Sequence, residues 1–108
     1  MQNSKNDNLQ VFADVIVSLS INATSQVEGM IIKNPEVTTK KSIKNKSIKV
    51  TFLPNDKIAI DVFCEIIYGY AVSDVVSLAQ EKIIESVESA TKYKVQSVNV
   101  QVTGVIVP

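Results

Sequence analysis

Histidine, arginine and tryptophan are absent from this chain, and cysteine occurs once. Without histidine there is no catalytic triad, metal site or proton relay built on imidazole. Without arginine there is no planar guanidinium for bidentate contact with phosphate or with a guanine edge, which disfavours sequence-specific nucleic-acid recognition. A lone Cys64 forms no intramolecular disulfide and no cysteine-based zinc cluster, as suits a reducing compartment. No apolar stretch approaches the length of a membrane span, and the opening "MQNSKNDNLQ" lacks the hydrophobic core of a signal peptide. Charge of one sign is also missing, because eleven lysines balance eleven acids, so no global field steers the molecule to a polyanion. A cytoplasmic protein without direct membrane insertion is expected.

What is present suits a folded domain. The 108 residues are 45% apolar and 20% charged, enough to bury one core and too short for two. Residues 1–9 are polar and read as a loose lead-in to a single domain over 10–108. "ADVIVSLSINATSQV" carries Val15, Leu19 and Ala23 at helical spacing, with Ile16 and Val27 beside them, Asp14 as its start and Gly29 after its end. Ser20 and Thr24, poor helix formers, are expected on its outer face. Met30 to Ile32 is a short apolar stretch that reads as an extra strand.

Residues 33–49 then hold six lysines and one acid and read, over 33–46, as a mobile connection. Ile48, Val50 and Phe52 alternate with polar residues, "PNDK" makes a turn, and Ile58 to Ile67 alternates again, which together predict a hairpin. "YGYAVSDVV" bends the chain from this strand into a second helix, with Tyr68 closing the buried strand face and Ser73 or Asp74 as caps. Val72, Val75, Val76, Ala79, Ile83, Val87 and Ala90 supply its apolar stripe. "VQSVNVQVTGVIV" alternates as a final strand. The order α-β-β-α-β predicts an α+β two-layer fold, with two helices on one face of a small three-stranded sheet.

"VEGM" at 27–30 and "YGYAVSDVVSLAQEKIIESVESATKYKVQSVNVQVTGV" at 68–105, with the hairpin between them, resemble the bacterial alkaline shock protein family. The shared features are an acid-glycine pair closing the first helix, a tyrosine-glycine corner, a glutamine within the second helix, and the Val98-Asn99-Val100 and Val102–Gly104 segments of the last strand. The Lys-rich insertion and Met30, where valine is usual, depart from the pattern. The resemblance implies a small cytoplasmic domain without assigned catalysis or cofactor. It implies links to envelope stress or lipid precursor metabolism, and in some members attachment near the membrane through a separate anchor protein.

Two surfaces follow as candidates. Phe63 and Ile67 alternate away from Ile60 and Cys64, onto a sheet face the helices leave open. With Val105, Val107 and the rim residue Tyr70 they form a candidate surface for a protein partner or for homo-oligomers. Lys40, Lys41, Lys44, Lys46 and Lys49 form a candidate anion-binding loop for RNA or an anionic surface, against the plainer role of solubilising a sheet edge. Asp61 and Glu65, four apart on one strand face and so roughly 13 Å distant, are too far apart to share a proton. No catalytic, cofactor or metal residues are expected, and Cys64 reads as a small buried hydrophobe. The leading expectation is a non-enzymatic interaction and assembly domain; the alternative is an RNA or anionic-surface module using residues 33–49.

Overall fold

A computed structural model describes residues 3–32 and 47–108, with side chains from Leu9 onward in the first helix. The elements run α1 (Asn3–Ser25), β1 (Met30–Ile31), β2 (Ile48–Leu53), β3 (Lys57–Ile67), α2 (Val72–Ala90) and β4 (Lys94–Ile106). The two-layer α+β arrangement expected from the sequence is present, with the apolar stretch after Gly29 contributing its own strand. Helix α1 starts at Asn3, well inside the segment read as loose. Asp14 is therefore an interior residue, accepting a hydrogen bond from Gln10 Nε2 at 3.0 Å, and not the helix start.

β3 is the spine of the sheet. One edge pairs along its whole length with β4 in parallel, from Lys57↔Lys94 to Ile67↔Ile106. The other edge is shared end to end by two antiparallel partners, β2 against residues 57–62 and β1 against Glu65 and Ile66. Asn55 and Asp56 take left-handed backbone in the hairpin turn (φ 67° and 57°), a conformation these two residue types tolerate best after glycine. α2 makes the crossover that a parallel β3–β4 pair requires.

Alternation along β3 decides what is inside. Ile58, Ile60, Val62, Cys64 and Ile66 are all buried, and the helices close over them with Ile16 and Ala23 from α1 and Val75, Ala79, Ile83 and Val87 from α2, joined by Val27 in the turn after α1. At the hairpin end Tyr93 is packed edge-on between Phe52 (5.3 Å) and Phe12 (5.7 Å), which seals the core.

The buried row of α1 keeps Ile16 and Ala23 of the expected stripe, with Leu19 partly buried, and is widened toward Val17, Ser20 and Thr24, whereas Val15 is 43% exposed. Ser20 and Thr24 are buried because each hydroxyl is satisfied within the helix: Ser20 Oγ donates to the Ile16 carbonyl (2.8 Å) and Thr24 Oγ1 to that of Ser20 (3.0 Å). A short hydroxyl that bonds back to residue i−4 enters a core at little polar cost. On α2 the stripe is as read, except that Val72 and Ala90 at its two ends are exposed.

These burials set unequal sensitivities. Ile83→Ala is expected to lower unfolding free energy by about 2–5 kcal/mol, from lost apolar transfer and a residual cavity. Ser20→Ala, which removes only a locally satisfied hydroxyl, should change it by less than about 1 kcal/mol. Urea titration of the two variants checks the contrast.

Candidate functional site

Odd-numbered residues of β3 point away from the helices. Phe63 and Ile67 stand there, half-buried, as the alternation requires. Their neighbours differ from those expected. A register shift between Cys64 and Glu65 lets β4 advance one extra residue, so that Glu65 meets Gly104, Ile66 meets Val105 and Ile67 meets Ile106. Paired residues of parallel strands share a face. Val105 is therefore on the helix side of the sheet, exposed (56%) beyond the helices' cover, and does not join Phe63. Ile106 takes its place, and Ile31, opposite Glu65 on β1, completes an apolar patch of Ile31, Phe63, Ile67 and Ile106 around the Glu65 side chain. The one signal for the bulge in the β4 sequence is Gly104, since a lone glycine within a strand pattern marks such an irregularity, whereas the valines at 102, 105 and 107 look alike.

The bulge is internally satisfied: Thr103 Oγ1 donates to the Cys64 carbonyl at 3.1 Å. Toward the hairpin the open face becomes polar. Lys49 stands opposite Asp61, and Asn99 Nδ2 donates to Asp61 Oδ1 at 3.1 Å. Lys49 is exposed on β2, while Lys40, Lys41, Lys44 and Lys46 lie outside the described residues.

The outer edge of β4 is treated in two ways. Near its start α2 covers backbone groups: Glu88 Oε2 accepts the Val95 N–H (2.9 Å) and Gln80 Nε2 donates to the Val98 carbonyl (2.9 Å). Gln80, which stood out only through the family resemblance, is thus the link between α2 and the last strand. Beyond Val98, among the described residues, no strand pairs with this edge.

Tyr70 lies elsewhere, at the junction of α1 and α2. Gly29 (φ 92°) lies not at the helix end, as read, but at the end of the turn from α1 into β1; its carbonyl accepts the Ile67 N–H at 2.9 Å, and the Tyr70 ring packs directly on it. A Cβ on Gly29 would fall 2.6 Å from Tyr70 Cγ. The acid-glycine pair and the tyrosine-glycine corner, about forty residues apart in sequence, are therefore one contact. Tyr68 does not close the buried face: β3 ends at Ile67 and Tyr68 is 69% exposed. Neither Ser73 nor Asp74 caps α2. Ala71 is the N-cap, extended and without a side-chain hydrogen bond, so the first-turn amides have no side-chain partner there.

Cys64 is buried on the helix side, and burial first, then the charge of Glu65, pushes its thiol pKa up, the opposite of an activated nucleophile. The folded chain thus holds this proton to higher pH than the unfolded chain. The associated stability is intact below the ordinary thiol value of 9.0 and is lost as pH rises through the raised one. Cys64→Ala, though less stable throughout, should show a flatter decline of stability above that value in denaturation curves recorded across pH.

Gly29 and Gly69 both have positive φ (92° and 106°), but nothing lies within 4 Å of a Cβ built on Gly69. Gly69→Ala should cost only the left-handed strain, about 1–2 kcal/mol. Gly29→Ala carries the same strain and a collision with Tyr70, and should lower the thermal midpoint further.

No helix among the described residues is long and apolar enough to cross a membrane. No solved structure matches the chain. It is similar to an uncharacterized protein, YqhY, of Bacillus subtilis (strain 168), with 25% identity over 103 residues that cover 90% of this chain and 76% of that protein. Residues 1–107 match the alkaline shock protein 23 family, described as having a cell envelope-related function, and with the glycine contacts and the β4 segment in place the chain belongs to that family.

Proposed function

We propose that this chain serves its family's envelope-related function as a non-enzymatic assembly domain, which pairs with a second copy of itself through the open sheet face. Assembled chains then present docking surfaces to protein partners, a membrane-anchored one among them, at the cytoplasmic side of the envelope.

The observation that carries this reading is the patch of Ile31, Phe63, Ile67 and Ile106 on a face that no described helix covers. A second copy suits it for two reasons. The face bears both signs of charge, Lys49 beside Asp61, so it carries no like-charge barrier to a second copy of the same face. The chain's net charge of zero adds no long-range repulsion between copies. The unpaired stretch of β4 beyond Val98 borders the same patch and extends the contact with backbone donors and acceptors.

Phe63→Lys places a charge in the middle of this patch and should weaken self-association at least tenfold, as loss of a central apolar anchor does at interfaces. Light scattering and sedimentation over a concentration series measure it. A wild-type chain that stays monomeric at millimolar concentration would overturn the proposal. Replacing Lys40, Lys41, Lys44 and Lys46 by alanine should leave the assembly intact; if instead it abolishes retention of RNA or acidic vesicles at low salt, the anion-binding alternative stands in its place.

A further inference from the structure

We infer that the cleft between the end of α1 and the start of α2 docks a partner peptide that carries a lysine or arginine next to an apolar residue. The cleft holds about 400 Å³ and is lined by Gln26, Glu28, Tyr70, Asp74, Val75 and Leu78. Val75 is its buried element, while Tyr70 and Leu78 are 43% and 41% exposed and form apolar walls. Tyr68 and Val72, both exposed, extend that apolar surface along the chain between β3 and α2. A space of this size with apolar walls suits a side chain larger than a simple amine.

Its charge is of one sign. Both ionised residues of the lining are acids, and among the described residues neither Glu28 nor Asp74 has an ion-pair or hydrogen-bond partner. Asp56, Asp61 and Glu88 are engaged, with Lys92, Asn99 and the Val95 amide, whereas Glu81 and Glu85 on the outside of α2 are also without a partner among the described residues but lie outside this apolar-walled cleft. The described residues hold six lysines against ten acids, so the folded body complements a cation. The aromatic wall adds to this preference, because a cation over a tyrosine face is attracted by the ring quadrupole. Tyr70 is held for that role by its contact with Gly29, which leaves the ring little freedom and lowers the cost of ordering it on binding. The uncapped first-turn amides of α2, at the Asp74 end of the cleft, suit the carbonyl oxygens of an extended peptide backbone. The free amides serve backbone carbonyls of either kind of peptide; the carboxylates and the aromatic wall are what favour a basic one over an acidic one.

This site shares no residue with the open-face patch, so the two proposals fail separately. The test pans a display library of heptapeptides, randomised at every position, against the full chain and titrates the enriched peptide into ¹⁵N-labelled protein. Enrichment should favour lysine or arginine adjacent to leucine, isoleucine, phenylalanine or tyrosine. Amide shifts should concentrate at Gln26–Gly29 and Tyr70–Leu78. The double variant Glu28→Gln, Asp74→Asn, whose circular dichroism should match the wild type, should weaken binding at least tenfold, and Leu78→Ser should also weaken it. Phe63→Lys should leave the affinity unchanged. No enrichment above a protein-free control, an acidic consensus, shifts centred on the Phe63 face, or affinity unaffected by the double variant would each overturn the inference.

Discussion

Everything in this fold hangs on β3, an eleven-residue strand with partners on both edges and a different fate for each face. Its backbone groups are committed to β4 on one side and to β2 and β1 on the other, so it cannot shift register without breaking three pairings at once. Its even-numbered side chains are the floor of the core, and a slip by one residue would send all of them to the open face. The helices have no comparable constraint between themselves. They settle where the apolar floor is, and α1 meets it with a row that includes residues able to hide their own polar atoms. That is why Ser20 and Thr24 are inside while Val15 is not.

The extra residue in β4 has the largest consequence for function. Below it, β4 presents Asn99 and Gln101 to the open face; above it, Ile106. The face is thereby divided into a polar half at the hairpin end and an apolar half near the β3–α2 corner. Thr103 ties the irregularity down, its hydroxyl donating to the Cys64 carbonyl across the two strands. β4 carries an earlier shift too, between Ile58 and Ala59; without the one at Cys64 and Glu65, Val105 and Val107 would lie on that face and Ile106 beneath the helices.

The corner between β3 and α2 acquires its meaning from the other end of the molecule. Gly69 is there to let the chain turn, with open space around it, whereas Gly29 is there because an aromatic ring occupies the volume of a side chain. One glycine is conformational and the other is steric as well. Tyr70 consequently belongs to a cleft shared with α1 and not to the Phe63 surface. The two candidate surfaces lie on different parts of the molecule, one flat and apolar, the other concave and acid-rimmed.

Element order, the hairpin, the alternating floor of β3 and the stripe of α2 were legible in the residues, because periodicity reports which side of an element is buried. Family membership was legible too, in short motifs whose order and spacing carry more than any one of them. Where the reading erred, the deciding partner lay far away in sequence: Val105 changed faces through a bulge against β3, and Tyr68 was left outside by the strand's early end. Asp14 and Ser73 were displaced as caps because the helices begin elsewhere. By itself, then, the sequence determined the elements, the composition of the core and the exclusion of imidazole and guanidinium chemistry, all of which depend on residue type and local spacing. Only the tertiary structure decided which apolar residues share the open face and that Glu28, Tyr70 and Asp74 meet in one cleft, because register and helix rotation are settled by contacts between segments and not within them.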